Sequence, residues 1–90
     1  MKAIDDPYKI VKYPLATEKS IRLMESENKL IFVVDTHARK NQIKKSVEEM
    51  FKVKIKRVTT HRGADSIKRA YVTFSEETPA IDVATQLGMM

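Results

Sequence analysis

Val53-Lys-Ile-Lys-Arg-Val-Thr-Thr-His-Arg-Gly-Ala-Asp-Ser-Ile-Lys-Arg-Ala-Tyr-Val-Thr-Phe74 is the stretch from which the fold is read. Val53 and Ile55 alternate with Lys54 and Lys56, the period of a strand with one apolar and one wet face. Arg57 then occupies a position where an apolar side chain is due, and Val58 follows it, which predicts a β-bulge at residues 56 to 58. The strand runs to about Thr60. Gly63-Ala-Asp-Ser66 has turn chemistry, and a return strand from Ile67 to Phe74 sets Ala70, Val72 and Phe74 inward with Arg69, Tyr71 and Thr73 outward. The result is an antiparallel hairpin with a basic outer face.

Outward from the hairpin, the chain alternates strands and helices. Arg39 to Phe51 gathers Ile43, Val47, Met50 and Phe51 on one helical face. Leu30 to Asp35 is a continuous apolar run, too short for a helix, and reads as a central strand covered on both faces by helices. Before it, Thr17 can cap a helix that carries Glu18 in its first turn and Ile21 and Met24 on one face, and Asn28-Lys29 turns the chain. Tyr8 to Tyr13 reads as an opening strand or extended arm that stops at Pro14. On the far side, Thr78-Pro79 is a cap and first-turn pair for a last helix containing Ile81, Ala84 and Leu87 and ending at Gly88. The expected architecture is α+β: one small sandwich of a mainly antiparallel sheet packed by helices, in the order β-α-β-α-β-β-α, with residues 1–90 forming a single domain.

Charge is the strongest functional signal. Between Arg39 and Arg62 there are nine basic residues and two acidic ones, so this stretch alone carries +7 while the chain carries +5. The first 38 residues balance six against six, and residues 63 to 90 hold two basic and four acidic side chains. Basicity so confined is the footprint of a surface that neutralises phosphates. The helix from Arg39 repeats the signal. Arg39, Lys40, Lys44 and Lys45 lie toward the positive end of its dipole and Glu48 and Glu49 toward the negative end, the reverse of what helix stability favours, at about 0.3–1 kcal/mol per charge. An anionic partner explains that order.

Several function classes fall away. With no Cys there is no disulfide or zinc ribbon, and His37 and His61 alone do not complete a structural metal site, so no metal and no cofactor is expected. The longest apolar run, Leu30 to Val34, is far short of the ~20 residues of a membrane span, and the N-terminus has no apolar signal region, so a soluble, unsecreted protein without membrane insertion is expected. A two-glycine chain has no phosphate-cradling loop, and its paired acids Asp5/Asp6 and Glu76/Glu77 are adjacent, as solvated loop acids are. No enzyme is expected. Lys54, Lys56, Arg69 and Tyr71 are expected on one outer face, suited to RNA backbone. The aromatic-rich signature of the RNA-recognition fold is missing, so recognition mainly of RNA backbone and shape is expected. Glu18, with Glu25 and Glu27, forms an opposite acidic pole suited to a protein partner.

Five blocks together resemble the large-subunit ribosomal protein L23 family, archaeal type, from about Pro7 to Leu87. They are Pro14-Leu-Ala-Thr-Glu-Lys19, Lys29-Leu-Ile-Phe-Val-Val-Asp35, Lys40-Asn-Gln-Ile-Lys44 leading to Met50-Phe51, Val53 to Thr60, and Lys68-Arg-Ala-Tyr-Val-Thr73. The resemblance implies a cytoplasmic constituent of the large ribosomal subunit, bound to large-subunit ribosomal RNA and neighbouring ribosomal proteins beside the exit of the polypeptide tunnel. It further implies docking of nascent-chain targeting factors, namely the signal recognition particle and the protein-conducting channel. RNA contacts of the family fall on Thr17, Lys19, Arg39, Lys40, Lys44, Lys54, Lys56, Thr59, Thr60, Lys68, Arg69 and Tyr71, and factor docking falls on Glu18. Lys12, Arg57 and Arg62 complete the candidate RNA-binding set. Thr59 stands where the family commonly has Asn. Arg62 to Ser66 stands where bacterial members carry a long hairpin, which implies that a tunnel-lining arm is absent and that a neighbouring protein fills its place. The alternative is a free-standing basic RNA-binding or RNA-remodelling module, with a small anion-processing enzyme as a more distant third reading.

Overall fold

A computed structural model of the chain describes residues 7–87. Its elements are α1 (Pro7–Ile10), β1 (Val11–Pro14), α2 (Glu18–Glu27), β2 (Lys29–Val34), α3 (Lys40–Phe51), β3 (Ile55–Arg62), β4 (Lys68–Phe74) and α4 (Ala80–Gln86). The four strands form one antiparallel sheet in the order β1-β2-β4-β3. After the single turn of α1, the succession β-α-β-α-β-β-α is the expected one. The opening strand is shorter than expected. Ile10 and Val11 are both buried, and a strand cannot send consecutive side chains to one face, so a helical turn delivers Ile10 before extended backbone begins at Val11.

All the helices lie on one face of the sheet. Leu30, Phe32 and Val34 of β2, Ala70, Val72 and Phe74 of β4, and Ile55 and Val58 of β3 form one core with Met24, Ile43, Val47, Val83 and Ala84 from the helices. Phe32 and Phe51 stack within it, ring centroids 6.3 Å apart. Burying a side chain such as Phe32 is worth about 1.5–3 kcal/mol. The run Leu30 to Val34 is buried on both sides, yet helices cover only one. Ile31 and Val33 belong to the other face, where the register sets Val33 between Tyr13 and Arg69, and Ile31 beside Tyr71. Long side chains of adjacent strands shield them in place of a helix layer.

The helix ends show why the chain turns where it does. Thr17 caps α2 as expected: its Oγ1 accepts from the Ser20 N–H at 3.2 Å, and Ser20 Oγ accepts the Thr17 N–H at 2.8 Å. The helix stops at Asn28, whose φ of 57° is left-handed, a conformation asparagine tolerates better than most residues. Helix α4 differs from expectation at its start. Pro79 occupies its cap position and Thr78 makes no side-chain cap; the Ala80 N–H is instead accepted by Asn28 Oδ1 at 2.6 Å, from 52 residues away. Its buried face is Ala80, Val83 and Ala84, with Ile81 exposed, and Gly88 lies outside the described residues.

Candidate nucleic-acid interface

Both edge strands carry a bulge, and each bulge adds a lysine to the surface. In β3 the register shifts between Ile55 and Arg57, so Ile55 and Val58 both reach the core while Lys56 and Arg57 are exposed between them. In β1 the shift lies between Val11 and Tyr13, which leaves Lys12 and Tyr13 exposed next to buried Val11. The open face of the sheet then forms rows. Tyr13, Val33, Arg69 and His61 make one, Ile31, Tyr71 and Thr59 the next, and Lys29, Thr73 and Arg57 the third. At ~4.8 Å between strands and ~3.3 Å per residue, this face measures about 14 by 13 Å. None of the four strands contains an acidic residue, while together they hold Lys12, Lys29, Lys56, Arg57, Arg62, Lys68 and Arg69.

The expected cluster of Lys54, Lys56, Arg69 and Tyr71 is rearranged. Lys54 and Lys56 lie at the opposite end of the hairpin from Arg69, lining a shallow cleft with Ser75, Glu76 and Glu77. Arg57, one residue beyond the bulge, takes the place expected for the lysines, opposite Thr73 and two residues from the Thr59–Tyr71 pair. Thr59 and Thr60 also separate. Thr59 opposes Tyr71 on the open face, whereas Thr60 opposes Ala70 on the helix side.

A second basic group forms on that helix side, around the start of α3. Arg62 Nη2 donates to the Thr36 carbonyl at 2.9 Å, and Lys68 Nζ donates to the Ala38 carbonyl at 2.6 Å. Both bonds tie the hairpin to the loop that leads into Arg39. Arg39, Lys40 and Lys44 are exposed, and the first turn of α3 has no acid. Cations and the positive end of the α3 dipole create positive potential together here. At the other end, Glu48 has a role that the dipole argument did not foresee: its Oε2 accepts the Ile55 N–H at 3.2 Å, just before the β3 bulge.

Thr17, Glu18 and Lys19 belong to the start of α2, on neither the sheet strands nor α3. The Thr17 hydroxyl oxygen accepts within the α2 cap, Lys19 is exposed, and Glu18 accepts from Arg22 at 2.7 Å in an exposed ion pair. On the open face Lys29 is paired with Glu27 at 3.3 Å, and the second ion-paired cation there is Arg69. Its guanidinium donates to Asp65 at 3.0 Å, which holds the Asp65 carboxyl below its usual range and raises the guanidinium pKa in turn. Gly63 makes room for this pair, since a Cβ there would lie 2.8 Å from both Arg69 Nη1 and Asp65 Oδ1. Among the described residues no group of three or more His, Cys, Asp or Glu is placed to hold a metal ion, and no helix is long and apolar enough to cross a membrane.

The family model of ribosomal protein L23 matches residues 9–80. The chain belongs to the ribosomal protein L23 family. It is 36% identical over 85 residues to the large ribosomal subunit protein uL23 of Trypanosoma brucei brucei, an alignment covering 94% of this chain and 52% of that protein. The chain thus spans about half the length of the curated relative it matches. The L23 match takes in all four strands and every candidate RNA-contact residue from Lys12 to Tyr71, and ends at Ala80, the first residue of α4. Two residues of consequence carried no recognised signal in the sequence. Tyr13, half exposed on the open face, stood in a segment read as an opening strand or extended arm with no face assigned, and Asn28, read as a turn, joins α2, β4 and α4. The apolar neighbours Ile10 and Val11 were the available sign that Tyr13 would follow a change of backbone.

Proposed function

We propose that this protein is a non-catalytic constituent of the large ribosomal subunit that binds large-subunit ribosomal RNA by two surfaces: the open sheet face, with Lys12, Arg57, Thr59, Arg69 and Tyr71, and the basic start of α3, with Arg39, Lys40 and Lys44. The observation that carries this reading is the excess of cations on strands that contain no acidic residue, which the ion pairs from Asp65 and Glu27 offset only at Arg69 and Lys29. Family membership supplies the subunit, and the charge supplies the ligand class. The site is cytoplasmic, beside the tunnel exit. Glu18, exposed at the α2 start and outside both basic groups, faces the signal recognition particle and the protein-conducting channel.

Sedimentation of the tagged protein from native lysate through a high-salt cushion, with the subunits then separated, tests the first half. Stoichiometric recovery with the large subunit is expected; recovery in the supernatant leaves a free-standing RNA-binding module. Salt titration of RNA binding tests the second half. Arg57→Gln with Arg69→Gln lowers the slope of log K against log salt by about 0.7–0.9 for each phosphate no longer neutralised. An unchanged slope removes the open face from the RNA-binding surface.

A further inference from the structure

The open face holds more than charge. Tyr13 is 50% exposed, the most exposed large apolar side chain among the described residues. It stands on β1 in the row that runs through Val33 to Arg69, and Tyr71 occupies the neighbouring row on β4 beside Ile31. Two phenol rings therefore flank an apolar floor of Ile31 and Val33, with the Arg69 cation on the same surface. The β1 bulge creates this arrangement, because it is what leaves Tyr13 exposed while Val11 stays in the core. A phosphate-neutralising face alone has no use for an exposed ring over buried aliphatic side chains. A base does: its flat π-surface stacks on an aromatic ring whatever its sequence, while its phosphate meets the neighbouring cation.

Building on the RNA-binding reading above, we infer that the open sheet face takes an unpaired nucleotide of RNA, its base on the Tyr13 ring over Ile31 and Val33 and its phosphate at Arg69. This adds a stacked base to recognition expected mainly through backbone and shape; the aromatic surface is assembled from β1 and β4, more than fifty residues apart in the chain. Asp65 acts as a positioning residue. By holding the guanidinium at 3.0 Å, it keeps Arg69 in place over the hairpin end before RNA arrives. Thr59, opposite Tyr71, offers a hydroxyl at the rim for a ribose 2′-OH.

The chain has three Tyr and no Trp, so its ultraviolet emission comes from tyrosine, and a base stacked on Tyr13 quenches it. The test titrates a short unstructured oligouridylate, and a duplex RNA of equal length, into wild type, Tyr13→Leu and Tyr13→Phe. Leu keeps the apolar bulk at an exposed position and loses the ring; Phe keeps the ring. Expected results are preference for the single strand, emission quenching, a loss of about 5- to 100-fold in single-strand affinity for Tyr13→Leu, and wild-type affinity for Tyr13→Phe. The salt slope stays unchanged in both variants, because the cations that neutralise phosphate are all still present. Undiminished affinity and quenching in Tyr13→Leu, with salt-dependent duplex binding intact, overturns the stacking site and leaves the RNA reading standing. Failure of the wild type to bind either RNA overturns both.

Discussion

Replacing Asn28 by Ala should destabilise the protein by about 3 kcal/mol, from a residue outside both proposed RNA-binding surfaces. Asn28 sits at the end of α2 with φ 57° and ψ 39°. Its Nδ2 donates toward the carbonyls of Phe74, Ser75 and Thr78 at 3.2, 3.2 and 3.0 Å, and its Oδ1 accepts the Ala80 N–H at 2.6 Å. Loss of the cap on α4 costs about 1 kcal/mol. The two amide hydrogens, shared among three part-buried carbonyls, are worth about 0.5–1.5 kcal/mol each. A left-handed alanine adds about 1 kcal/mol that asparagine largely avoids. Water reaching the carbonyls returns part of this, which brings the total to about 3 kcal/mol. Against the 5–15 kcal/mol typical of a domain this is a large share. Urea unfolding followed by circular dichroism reads it directly, and Asn28→Gly separates the causes. Glycine relieves the left-handed strain without restoring a hydrogen bond, so it should recover only about 1 kcal/mol. A stability for Asn28→Ala within about 0.5 kcal/mol of wild type, or full recovery in Asn28→Gly, refutes the role of the side-chain bonds.

Three further outcomes follow from the hairpin and the acidic pole. The Asp65 carboxyl is held below the ordinary aspartate value by the Arg69 hydrogen bond, so its contribution is present above that ordinary value and is lost as the pH falls through the lower folded value. Urea midpoints of wild type and Asp65→Asn should therefore keep a constant separation from about pH 7 to 5 and converge at lower pH; convergence already at about pH 6 would contradict the pairing. Gly63→Ala pushes only the flexible ends of Arg69 and Asp65, so the fold should persist with less than about 1 kcal/mol lost, while the Asp65 carboxyl, followed by carbon-detected NMR titration, moves up toward its ordinary value. Glu18→Ala removes an exposed ion pair and should change stability by less than about 0.5 kcal/mol and leave RNA affinity intact, while lowering affinity for purified signal recognition particle. Loss of RNA binding in that variant would mean that the two poles are exchanged.

Local signals carried most of the fold. Alternation and turn chemistry gave the hairpin, the misplaced Arg57 gave its bulge, and Thr17 gave the α2 start, because each depends on residues a few positions apart. What escaped depends on packing across the sheet. Whether Thr60, Arg62 and Lys68 face the helices or solvent is decided by the bulge register and by the Thr36 to Ala38 loop, and no short window contains both. The cap of α4 escaped for the same reason, its acceptor lying on Asn28. In the candidate interface, residue types were legible and their grouping was not: the basic strand was visible, but the bulge hands the open face to Arg57 and sends Lys54 toward Glu76 and Glu77.

The two bulges bear on how this sheet can stay single and still bind. A four-stranded sheet with one uncovered face has two edges, β1 and β3, each able to pair with another chain. Shielding Ile31 and Val33 with apolar side chains on regular, unbroken edge strands would leave those edges open to that pairing. Covering the open face with a helix would remove the proposed binding surface. A bulge in each edge strand avoids both outcomes: it breaks the ladder, twists the edge, and inserts Lys12 or Lys56 where a flat strand would have kept strict alternation. The same insertion adds positive charge to strands that hold no acidic residue of their own. Edge protection and the proposed phosphate attraction are thus two consequences of one kind of backbone irregularity, and Tyr13 owes its exposure to the bulge in β1.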